Sequence, residues 1–106
     1  MNQADLVNLI ANILTQLDNA LMNLDPSSAS WQQLYALRKH LDDQQRALVA
    51  SIIQTNDPEF AAATGVIQTA TNQLNQQINA QNKIDAAIKT ISQVSASLDQ
   101  ILKMVP

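Results

Sequence analysis

The sequence predicts an all-α protein, an antiparallel helical hairpin packed on a long third helix, forming one domain over residues 1–106. Three observations predict it. Apolar residues recur at alternating spacings of three and four along nearly the whole chain, which places them on one face of each helix. Breakers are scarce, with one Gly and three Pro, and two of the prolines stand in Asp-Pro steps where the pattern restarts. Ala, Leu, Gln and Asn dominate, and the β-branched and aromatic runs that strands prefer are missing. The expected helices span residues 3–24, 30–55 and 58–104.

In the first helix Leu6, Ile10, Ile13, Leu17, Ala20 and Leu24 form a stripe that Val7, Leu14 and Leu21 widen. A stripe this broad meets two neighbours. Asn2 is a suitable cap with Asp5 three residues on, since its side chain can accept from exposed backbone N–H groups and an anion suits the positive helix end. The break at Asp25-Pro26-Ser27-Ser28-Ala29-Ser30 offers two starts for the second helix. One is Asp25 followed by Pro26; the other, preferred here, is Ser30 with Gln33 in a capping box. Beyond it Trp31, Leu34, Leu37, Leu41, Leu48 and Ile52 share a face with Val49 and Ile53, while Gln44 and Gln45 interrupt it as a polar layer or as a boundary between contact regions.

Asp57-Pro58-Glu59 combines cap, first-turn proline and acid. From there one heptad phase runs through Phe60, Ala63, Ile67, Ala70, Leu74, Gln77, Gln81, Ile84, Ile88, Ile91, Ser95, Leu98, Leu102 and Val105. A continuous helix of this length would extend about 70 Å, twice the reach of the hairpin. The row Ile84, Ile88, Ile91, Leu98, Leu102 and Val105 is then left to a second chain, because burying each large aliphatic is worth about 1.5–3 kcal/mol. The alternative is a four-helix up-down bundle with a turn near residues 79–83, where Asn79 and Asn82 could end one helix and cap the next. Gln77 and Gln81 mark either a polar layer that sets register or the point where the helix leaves its bundle. Gly65 is expected at a close helix contact beside Ala61 to Ala63.

The chain contains no Cys, 10 Asn and 14 Gln, and carries a net charge of −3 with 14% charged residues. Disulfides, thiolate metal sites and a Cys nucleophile are excluded. Without clustered Lys and Arg, nucleic acid and anionic lipid are poor partners. No stretch approaches the roughly 20 apolar residues of a membrane span, so stable membrane insertion is not expected. The N-terminus lacks a basic region and an unbroken apolar core of the signal-peptide kind, and cytoplasmic residence is the expectation, with leaderless export as the alternative.

His40 is the only histidine, with Asp43 as its one acid at ligand spacing, and one His with one Asp does not make a metal site. No nucleophile, paired carboxylates or Gly-rich loop accompanies it. No catalytic residue, metal or cofactor is therefore expected. The cluster Arg38-Lys39-His40-Leu41-Asp42-Asp43-Gln44-Gln45-Arg46 pairs opposite charges four residues apart and reads as a solvated face or as a recognition patch. Trp31 and Tyr35, one turn apart, are core residues or interface anchors, and Tyr35 lies off the apolar stripe. The expected function is a non-catalytic protein-interaction module, of accessory, inhibitor or immunity-like, or chaperone-like kind. Its contact residues would be Ile84, Ile88, Ile91, Leu98, Leu102 and Val105 with Tyr35, Arg38 and Lys39. The partner would be another protein or a second copy of the chain. A self-assembling structural, secreted-apparatus or toxin-associated subunit is the alternative.

Overall fold

The computed structural model describes residues 2–51, 53, 57–78 and 83–103, and within them the chain forms four helices and no strand. They are α1 (Gln3–Met22), α2 (Ala29–Ala50), α3 (Pro58–Gln77) and α4 (Ile84–Lys103). Helix α1 starts as its sequence requires. The Asn2 side chain accepts from the Asp5 N–H at 2.7 Å and the Asp5 carboxylate accepts from the Asn2 N–H at 3.2 Å, a reciprocal capping box. Helix α3 also starts as expected, with the Asp57 carboxylate accepting from Glu59 N–H at 2.8 Å and Pro58 in the first turn.

The α2 cap is neither of the two expected residues. Asp25 turns inward on its own loop, accepting from the Ser27 N–H at 3.0 Å and the Ser27 hydroxyl at 2.8 Å, while its carbonyl takes the Ser28 N–H at 2.9 Å. That tight turn delivers Ser28 to the cap position, where its hydroxyl accepts from Trp31 N–H at 3.1 Å. Ser30 lies inside the helix instead. At the other end α2 stops at Ala50, five residues before the expected end, with Ser51 extended. The Gln3 side-chain amide donates to the Leu48 and Ser51 carbonyls at 2.7 and 2.8 Å, satisfying acceptors that a terminating helix exposes. This contact also runs α1 antiparallel to α2.

The long third helix is not formed. Helix α3 ends at Gln77, and α4 starts at Ile84 and packs back along α3. The two run antiparallel, since the Thr90 hydroxyl donates to Gln77 Oε1 at 2.7 Å near the reversal, while Glu59 and Lys103 line one groove at the far end. The turn expected near 79–83, including Asn79, Gln81 and Asn82, lies almost wholly outside the described residues. The molecule measures 41 × 22 × 18 Å, too short for a helix of about 70 Å and wide enough for two helices in each direction at about 10 Å spacing.

Packing joins α1 to α2, α2 to α4 and α4 to α3, and all four helices contribute to one core. Leu6, Ile10, Ile13 and Leu17 of α1 meet Leu34, Leu41 and Leu48 of α2, Phe60, Ile67 and Leu74 of α3, and Ala87, Ile91, Val94, Leu98 and Ile101 of α4, nearly all without solvent exposure. Val49, expected on the apolar face of α2, is exposed, while Ile53 is buried.

One polar layer crosses this core. Gln44, 4% exposed, donates from Nε2 to the Ser95 carbonyl at 2.9 Å and to Asp99 at 2.8 Å, and its Oε1 accepts the Ser95 hydroxyl at 3.0 Å. Every polar atom of the Gln44 amide is satisfied except for spare acceptor capacity, so burial carries little penalty. Of the two readings of Gln44, the polar layer is the one found, and it ties α2 to α4. Gln45 points to the other neighbour and donates to the Val7 carbonyl at 3.2 Å.

Candidate protein-interaction surface

The residues that the sequence assigned to a partner separate into two groups. Ile91 and Leu98 have no exposure, and Ile84, Ile88 and Leu102 are half-buried against the same core. The chain itself covers this row, so a partner helix cannot reach Ile91 or Leu98 without opening the fold. The expectation of an unpartnered seam failed with the continuous helix on which it rested. Val105 lies outside the described residues. Gln77 does not mark an exit from the bundle either; it binds Thr90 at the end of α3.

Tyr35, Arg38 and Lys39, by contrast, stand on the outer side of α2. Spacings of four and three put Trp31, Tyr35 and Arg38 along one line of the helix. The two rings stack with centroids 5.0 Å apart and planes 7° from parallel. Tyr35 remains 49% exposed and Trp31 is half-buried, so the pair is a rigid aromatic ledge rather than part of the core. The stack restricts both side chains before anything binds, which lowers the ordering cost of using them.

Arg38 completes the line and is fixed from two sides. Its Nε and Nη2 donate to the two Asp18 oxygens at 2.9 and 3.3 Å, and its Nη1 lies 3.8 Å from Asp42. Asp42 also holds Arg46 at 3.2 Å. The Asp18 hydrogen bonds, followed by the charges of Asp18 and Asp42, hold the guanidinium above its ordinary pKa, so it is a cation at every accessible pH. Sequence spacing gave the Arg38–Asp42 and Asp42–Arg46 pairs. It missed Asp18, because a contact between helices appears only once α1 and α2 are set in register. Met22 lies one turn beyond Asp18 on α1 and is 83% exposed, extending the patch with an adaptable apolar side chain. Lys39 is exposed and makes no ion pair among the described residues.

A second surface lies between α3 and α4 and was not singled out by the sequence. Two adjoining depressions follow the junction of these helices, with volumes of about 570 and 510 Å³. Glu59, Ala62, Val66, Gln100 and Lys103 line the first, and Gly65, Thr69, Gln73 and Gln93 extend the second. Val66 is 50% exposed. The position of Gly65 differs from expectation: a Cβ added there would meet nothing within 4 Å among the described residues, so the glycine makes no close contact with them.

His40 is exposed, and among the described residues no group of three or more His, Asp or Glu side chains could hold a metal ion. None of the described helices is long and apolar enough to cross a membrane. Compared with protein-family models, with curated proteins and with solved structures, the chain matches none.

Proposed function

We propose that this chain is a non-catalytic protein-interaction module, an accessory, inhibitory or chaperone-like protein, and that it binds through the outer face of α2. The observation that carries this reading is the stacked Trp31–Tyr35 ledge beside an immobilised Arg38. Trp, Tyr and Arg are the residue types that dominate binding energy at protein interfaces, where they act from positions already well packed. Here all three are pre-ordered on one helix line, with Lys39 and Met22 at the margin. A partner helix or loop laid along α2 would cover the exposed half of Tyr35 and accept from the guanidinium edge that Asp18 leaves free.

Cross-linking capture from the native host tests the proposal when wild-type protein is compared with Tyr35→Ala, Arg38→Glu and the control Val49→Ala. A protein recovered with wild type and with the control, but lost with both α2 variants, supports it. Recovery that is indifferent to Tyr35 and Arg38 refutes it. Each variant should keep wild-type helicity, since neither Tyr35 nor Arg38 belongs to the core.

A further inference from the structure

We propose that the α3–α4 groove is a homodimer interface, in which a second copy of this chain lays its own α3 antiparallel on α3 about a two-fold axis between Ile67 and Gln68. The first support is the glycine. Gly65 lies mid-helix, where it lowers helix stability by about 1 kcal/mol relative to alanine, and nothing among the described residues requires the missing Cβ. Close approach of a second backbone gives it a role that the isolated chain does not.

The second support is the chemistry of the face. From Phe60 to Ile78 the chain has no charged residue, so the middle of this surface is covered without desolvating an ion, and charge is confined to the ends of the groove, as with Glu59 and Lys103. An isologous contact requires a surface that matches itself under the two-fold. An axis between Ile67 and Gln68 does this, setting the exposed Val66 against Thr69 and Ala62 against Gln73. Charge agrees with this register. Glu59 of one copy then reaches the last turn of the other copy's α3. At that level, fixed by the Thr90–Gln77 hydrogen bond, the exposed Lys89 lies one turn from Gln93 on the groove side of α4. The two-fold repeats the Glu59–Lys89 pairing at both ends.

The third support is size. A face about 30 Å long and two helices, or about 20 Å, wide offers about 600 Å² per copy. The total of about 1,200 Å² falls at the low end of specific interfaces, outside the size range of obligate ones.

Sedimentation equilibrium of the full chain from about 1 to 200 μM tests the proposal. The expected result is a rise from the 11.6 kDa of one chain to twice that mass. Val66→Lys, which is open to solvent in the monomer, should abolish the rise at unchanged helicity. Glu59→Lys should weaken dimerisation about tenfold, and Glu59→Lys combined with Lys89→Glu should restore it. A monomer throughout, growth beyond two chains, or a dimer indifferent to Val66→Lys would overturn the proposal. Failure of the charge exchange to restore affinity would overturn the two-fold register.

Discussion

Gln44 shows how one residue can decide between two readings of a helix face. An amide among leucines is tolerated because Ser95 and Asp99 on α4 satisfy it. Removing it empties that site and leaves the Ser95 hydroxyl without its partner. Gln44→Ala is expected to lower stability by about 1–3 kcal/mol, read as a reduced urea midpoint with unchanged slope. Asp25 makes a different prediction. Hydrogen bonds from the Ser27 backbone N–H and then the Ser27 hydroxyl hold its pKa below the ordinary value in the fold. A carboxylate with a depressed folded pKa stabilises fully above its unfolded value of about 3.9, and that contribution is lost as pH falls through the lower folded value. Thermal midpoints of wild type and Asp25→Asn should therefore differ at neutral pH and converge as pH falls through the lowered folded value.

At the scale of the element, the helix starts at Asn2 and Asp57 were legible because local chemistry settles them: cap, acid and proline act within four residues of one another. The α2 start was less legible, because the choice depended on how Asp25 used its two acceptors within the loop. The α2 end was not legible, since Gln3, 45 residues away, supplies the donors at that end. Helix α3 offers the sharpest test at this scale. Gly65→Ala should stabilise the chain by about 0.5–1 kcal/mol at low protein concentration, because the new methyl meets open space. Thermal unfolding of dilute samples measures it, and a destabilised variant would show a close contact that the fold lacks.

At the scale of the whole molecule, the all-α class and most core positions were readable, while the reversal between α3 and α4 was readable only as the alternative to a continuous helix. Its absence from the pattern has a simple physical cause. Each helix of a bundle carries its own core strip at spacings of three and four, and the unbroken phase from Leu74 to Ile84 is compatible with either a continuous helix or two antiparallel ones. Neither Gly nor Pro marks the segment between them. This reversal bears on the proposed function as well, because it turns Ile91 and Leu98 from an offered surface into core and moves the proposed contacts to α2 and the α3–α4 groove. Ile91→Asp should accordingly unfold the chain, at a cost above about 3 kcal/mol for an unpaired buried charge, with helicity by circular dichroism as the readout. The most direct measurement is the distance between spin labels at Glu59→Cys and Lys103→Cys. The chain has no other cysteine, and labelled protein diluted in unlabelled protein reports only distances within one chain. Two antiparallel helices about 10 Å apart predict a separation below about 25 Å including the label arms. A continuous helix predicts about 65 Å, and a population at that distance would contradict the fold described here.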